Sequence, residues 1–148
     1  MHLQSKQQCV ITPETRRLLV THLYRVFPEE GCGALLGSRT EDGWIIDHFQ
    51  PIRNTASNPQ HKFTLDPTGW ITSSFNPRLL GIFHTHPTSS PEPSAEDLLQ
   101  LQLFGEMVPL YLIASRTTID GEPDAQIGAY TVHRQPNGLF TLEPLTLA

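Results

Sequence analysis

The sequence predicts an α/β or α+β fold, a mixed central β-sheet flanked by helices. Three observations lead there. The short apolar runs Cys32–Gly37, Leu79–Phe83 and Pro109–Ser115 read as buried strands. Three helix starts stand out at Thr12-Pro13, Asp66-Pro67 and Ser94. Strands and helices then alternate irregularly, which suits a mixed sheet.

In chain order, Cys9-Val10-Ile11 is the first short strand. Thr12 caps a helix with Pro13 at its first position, and Leu19, Leu23, Val26 and Phe27 follow at helical spacing, so about four turns are expected before Pro28. Cys32–Gly37 is a buried strand, and a turn at Glu41-Asp42-Gly43 leads to the strand Trp44–Phe49. Arg53 to Gln60 reads as a loop, and His61-Lys62-Phe63-Thr64-Leu65 alternates like an edge strand. Asp66-Pro67 opens a second helix with Trp70 and Ile71 expected to be buried. Leu79 to His86 is a strand, and Ser94 opens a helix carrying Leu98, Leu99, Leu101 and Leu103. Pro109–Ser115 is a strongly apolar strand and Ser115–Ala125 a polar loop. Ile127–His133 and Leu139–Leu142 close the chain as strands around a turn at Pro136-Asn137-Gly138. There is no repeat, low-complexity tract or linker, so residues 1–148 are expected to form one domain.

The bulk properties exclude several classes. The net charge is -5, and the largest Lys/Arg cluster is Arg16-Arg17, which argues against nucleic-acid binding. Residues 1–6 are polar with no apolar signal core, and no apolar run approaches the roughly 20 residues of a membrane span. Cys9 and Cys32 cannot build a disulfide framework. A cytoplasmic location is the expectation. The prolines at 87–93 suggest a rigid, exposed loop.

The chemistry concentrates in Gly81-Ile82-Phe83-His84-Thr85-His86-Pro87, followed by Ser94 and Asp97. Residues two apart on a strand share a face, so His84 and His86 aim together. Two imidazoles and the Asp97 carboxylate leave the fourth position of a tetrahedral zinc open for water, the arrangement of a catalytic site. Each part also has a plainer reading. His-x-His pairs occur by chance on exposed strands, and Ser94-x-x-Asp97 has the form of a capping box. The capping box and the metal role are compatible, because the cap would hold Asp97 in one rotamer.

The combination resembles the JAMM motif of the MPN+ metalloproteases: His-Ser/Thr-His-Pro, six residues, then Ser-x-x-Asp. Here the six residues run from Thr88 to Pro93, and the spacing matches without a gap. The family also carries a Glu ahead of a Cys-Gly-apolar-Gly strand, matched by Glu29-Glu30-Gly31-Cys32-Gly33-Ala34-Leu35-Leu36-Gly37. In its bacterial members the Glu lies two residues before the Cys, which selects Glu30 and leaves Glu29 as a solvated charge. Arg53 to Pro59, His61-x-Phe63 and Asp66-Pro67 look like the stretch that small bacterial members carry between their second and third strands. The departures, Thr85 for the commoner Ser and Ala34 for a larger apolar residue, touch no ligand.

The resemblance implies an MPN fold, related to that of the cytidine deaminases, and one zinc ion on His84, His86 and Asp97. It implies a water activated by that zinc, Glu30 as general base and acid, and Ser94 as donor to the developing oxyanion. The reaction class is hydrolysis of a peptide or isopeptide bond. The compact chain has little room for the insertions that clamp ubiquitin chains. It looks more like stand-alone bacterial members linked to ubiquitin-like, β-grasp sulfur-carrier proteins, with cleavage after the carrier's Gly-Gly. The carrier's tail would add to a sheet edge, for which 53–65 is the candidate. The released group and the oligomeric state, homodimer included, stay open. His61 is a candidate for lining the groove, whereas Cys32 reads as a small buried residue rather than a nucleophile; His2, His22, His48 and His133 read as structural or exposed.

Three other functions are weighed. A non-catalytic MPN scaffold would lack one or more motif residues, and all five are present. A zinc deaminase needs His-x-Glu and Pro-Cys-x-x-Cys, and neither occurs. A phage-tail or cell-wall endopeptidase is expected to carry a second, Cys-dependent domain, for which this sequence has no length.

Overall fold

The computed structural model describes residues 7–148, so the expectations for Met1–Lys6, His2 included, lie outside the described residues. The elements in chain order are β1 (Gln8–Ile11), α1 (Pro13–Val26), β2 (Cys32–Thr40), β3 (Gly43–Ile52), α2 (Pro67–Ser74), β4 (Leu79–His86), α3 (Ala95–Phe104), β5 (Leu110–Ile119), β6 (Glu122–Arg134) and β7 (Phe140–Leu147). All three helix starts fall where the capping residues put them. Thr12, Asp66 and Ser94 each accept a hydrogen bond from the backbone N–H three residues on.

The sheet is mixed, as expected, with strand order β1-β3-β2-β4-β5-β6-β7. β4 pairs with β5 in parallel and with β2 antiparallel. Closure into a barrel is the part that local pattern did not announce: β1 is a parallel partner to both β3 and β7. Two apolar cores lie on either face of β2, β4 and β5. One joins Leu19 and Leu23 of α1 to Leu35, Phe83 and Leu112. The other joins Leu101 and Phe104 of α3 to Ala34, Ile82, Tyr111, Ile113 and Phe63. Alternate positions of β5, and of β4 from Ile82 on, thus face different cores, the period-2 pattern of a strand buried on both sides.

Several local expectations need correction. His61–Leu65 is not an edge strand; its one bridge joins Leu65 to Asn54. Phe63 and Leu65 are buried and Thr64 is exposed, so the alternation is real, but it anchors a loop to the core instead of extending a ladder. A ladder needs a free neighbour, and every described barrel strand already has two. The 53–65 segment therefore offers no edge of the kind expected for a bound tail. Ser115–Ala125 is not a loop either. β5 runs on to Ile119 and turns at Asp120-Gly121 into β6. Both turn residues have positive φ, 51° and 79°, as a two-residue hairpin turn requires. The Asp-Gly pair and the β-branched Thr117-Thr118-Ile119 favour this hairpin, and the polar residues around them reflect solvent exposure rather than lack of structure. In α2, Ile71 is 54% exposed and Trp70 is only partly buried, its ring against Phe104 at 5.3 Å. Of the four leucines that mark α3, Leu101 alone is buried.

Candidate metal centre

β4 carries His84 and His86 to its C-terminal end, where both side chains reach the α3 face of the sheet and are buried. The His84 ring is held between neighbours: Phe63 stacks on it at 4.5 Å, and Tyr111 meets it edge-on at 5.4 Å. Asp97 sits in the first turn of α3 and is 4% exposed. The capping box forms in full. Ser94 Oγ accepts from the Asp97 N–H at 3.1 Å, and Asp97 Oδ2 accepts from the Ser94 N–H at 2.9 Å. The cap thereby locks the carboxylate in place, with Oδ1 lying 3.5 Å from His84 Nε2 and Oδ2 2.9 Å from His86 Nε2. One candidate ligand atom from each residue lies within 4.8 Å of the other two.

The donor set fits a cation. His86 Nδ1 lies 2.7 Å from the Ser90 carbonyl, which can only accept, so this nitrogen is assigned the proton. In the neutral ring Nε2 then presents a lone pair to the Asp97 carboxylate. Two acceptors at 2.9 Å need a proton or a metal ion to reconcile them. His84 Nε2 is buried with no hydrogen-bond partner, which is an uncompensated loss of solvation unless a cation faces it. Burial pulls the His86 pKa down, but the hydrogen bonds to Asp97 and to the Ser90 carbonyl, with the Asp97 and Glu30 charges, raise it overall. Burial pushes Asp97 up, yet the His86 hydrogen bond, the His84 charge and the Ser94 amide bring it down to about 2, so it stays ionised.

Glu30 is 5% exposed, whereas Glu29 is exposed. Glu30 Oε1 lies 3.3 Å from His84 Nδ1 and has no hydrogen-bond partner. Its backbone is held on the loop side. The N–H donates to the Pro59 carbonyl at 2.7 Å, and the carbonyl accepts from Asn54 Nδ2 at 3.0 Å. Glu30, His84, His86, Ser94 and Asp97 are thus gathered at one end of β4. Cys32 is buried beside them, its thiol donating to the Ile52 carbonyl at 3.3 Å. Burial, helped by the Glu30 charge, pushes that thiol up to about 12, so it stays protonated and structural. His61 is exposed on a turn, its backbone N–H donating to the Asn58 carbonyl.

Local pattern did not reveal the residues that hold this group in place. Phe63 and Tyr111 wall His84, Asn54 ties down Glu30, and the Pro87–Pro93 loop is pinned from β5 and β6. An Asn opening a long polar loop was the one available signal, since its side chain readily bonds the backbone two residues on; here Asn54 Oδ1 accepts from the Ala56 N–H.

Fold and site together define a domain built around a buried two-histidine, one-carboxylate group at the end of a central strand. The chain belongs to the prokaryotic homologues of the JAB domain, whose family model matches residues 12–126. It is 33% identical over 108 residues to a desampylase of Haloferax volcanii, a match covering 70% of this chain and 69% of that protein. It is 22% identical over 96 residues to tail tip assembly protein K of Escherichia phage N15, covering 65% of this chain and 37% of the phage protein. Two solution structures share the fold. A protein from Desulfitobacterium hafniense superposes with a TM-score of 0.67 at 26% identity, over 95% of this chain and 92% of its own. A protein from Salinibacter ruber does so with a TM-score of 0.56 at 26% identity, over 93% and 90%. The family resemblance carried by the histidine and Ser-x-x-Asp motifs is borne out.

Proposed function

We propose that this chain is a zinc-dependent metallopeptidase that hydrolyses a peptide or isopeptide bond, with a ubiquitin-like protein as substrate. The observation that carries the reading is the convergence of His84 Nε2 and His86 Nε2 on the Asp97 carboxylate, with the buried Glu30 carboxylate beside His84. The likeness to a desampylase supports it. His84, His86 and Asp97 would hold the zinc, which when bound supplies an activated water near neutral pH and polarises the scissile carbonyl. Asp97, ionised, offsets part of the dication's charge. Glu30 takes the proton of the attacking water and returns it to the leaving amine. Ser94 Oγ accepts from the Asp97 N–H and keeps its own O–H free, so it can donate to the developing oxyanion, a contribution of about 3 kcal/mol.

The substrate class we favour is a β-grasp sulfur carrier cut after its C-terminal Gly-Gly, by a cytoplasmic enzyme of one domain. The test is metal analysis of purified protein with hydrolysis of a Gly-Gly-extended carrier. One zinc per chain and zinc-dependent cleavage are expected, and Glu30→Gln should keep the zinc and abolish cleavage. Cleavage retained in Glu30→Gln would sink the role given to Glu30. A chain that binds no zinc and cleaves nothing would instead favour a scaffold.

A further inference from the structure

The middle residue of His84-Thr85-His86 faces away from the metal centre, because successive strand residues alternate. Thr85 is nonetheless fully buried. Its Oγ1 accepts from the Gly31 N–H at 2.8 Å, and its own N–H donates to the Gly31 carbonyl at 2.9 Å. Thr85 thus closes two bonds on the residue that follows Glu30. Gly31 lies just outside the β2–β4 ladder, whose first pair is Cys32 with His84. Gly31 is also tightly enclosed, since a Cβ there would come within 2.8 Å of His22. Asn54 holds the carbonyl of the same Glu30–Gly31 peptide, and on the other side of Glu30 its N–H donates to the Pro59 carbonyl. With the peptides on both sides fixed, the direction of the Glu30 Cα–Cβ bond is fixed as well.

We propose that Thr85 is a positioning residue: its hydroxyl clamps Gly31 to the ligand-bearing strand and so sets the Glu30 carboxylate against the metal centre. The hydroxyl is the essential part. An aliphatic side chain would leave a buried N–H without an acceptor, and the Glu30–Gly31 segment would drift to find one. Serine meets the same need. The proposal rests on the reading of Glu30 as general base, and a misplaced base costs turnover more than substrate binding.

The test compares Thr85→Val and Thr85→Ser with the unaltered protein. Thr85→Val should keep one zinc per chain, lose kcat by about 10²-fold with KM within about twofold, and exchange the Gly31 amide proton faster. Thr85→Ser should restore both kcat and amide protection. Thr85→Cys, of similar size and a weaker acceptor, should fall between them and serves if the valine variant does not fold. Unchanged kcat with an exposed Gly31 amide overturns the proposal, as does a loss that serine fails to restore or zinc lost along with turnover. An unaltered protein that hydrolyses nothing overturns the functional reading instead; the Gly31 exchange rates and zinc content then decide the clamp.

Discussion

Two irregular loops flank the candidate metal centre, and their side-chain anchorage is distributed differently. In the 53–65 loop, one side chain makes five hydrogen bonds. Asn54 Nδ2 donates to the carbonyls of Glu30, Pro59 and Lys62 at 3.0, 3.4 and 3.1 Å, and Oδ1 accepts from the N–H groups of Ala56 and Thr64, each at 3.0 Å. In the 87–93 loop, four side chains make one bond each. Arg116, Ser115, His86 and Tyr130 donate to the carbonyls of Pro87, Ser89, Ser90 and Pro91 at 3.2, 2.6, 2.7 and 2.8 Å. Gly128 leaves the room that the Pro91 carbonyl occupies. The first loop holds the segment of the proposed base, and the second leads to the proposed ligand Asp97 and the proposed oxyanion donor Ser94. Anchorage concentrated on Asn54, with Gln100 Nε2 on the Phe63 carbonyl at 2.6 Å as a further pin, loses more with one residue than the evenly distributed anchorage of the second loop does.

The largest effect should come where redundancy cannot help. Asp97→Ala removes a proposed ligand and half of the capping box, so both zinc content and hydrolysis should be lost. Zinc held at one equivalent in that variant would remove Asp97 from the ligand set. Asn54→Ala comes next. It removes five hydrogen bonds of the 53–65 loop and should lower unfolding stability by about 2 kcal/mol, with kcat reduced and zinc retained. Equal losses of zinc and kcat would mean that Asn54 supports the whole centre, which would erase the contrast between the loops. Tyr130→Phe should be the mildest, about 1 kcal/mol in denaturant unfolding with zinc content unchanged. Adding Ser115→Ala should cost a similar further amount, and a much larger combined loss would show that the pins act as one unit.

Much of the fold was legible because its signals are local. Thr12-Pro13, Asp66-Pro67 and Ser94 mark helix starts by backbone chemistry that acts over three residues. The apolar strands Cys32–Gly37, Leu79–His86 and Pro109–Ser115 are buried on both faces, so their composition alone betrays them. The Arg116–Asp124 hairpin was harder to read because it extends into solvent and most of its residues are polar. His61–Leu65 misled for the opposite reason: alternation shows which side chains are buried, not whether a neighbouring strand is free to pair.

The candidate site divides in the same way. Strand periodicity puts His84 and His86 on one face, and the Ser94 cap fixes Asp97, all within fourteen residues of chain from His84 to Asp97. Motif spacing alone could therefore single out this group. Only the tertiary structure decides that Glu30 stands beside His84, that Phe63 and Tyr111 wall the imidazole, and that Asn54 and Thr85 hydrogen-bond the backbone around Glu30. Those contacts join residues far apart in the chain. They depend on β2 pairing with β4 and on the 53–65 loop folding across the end of the ladder, which no local spacing encodes.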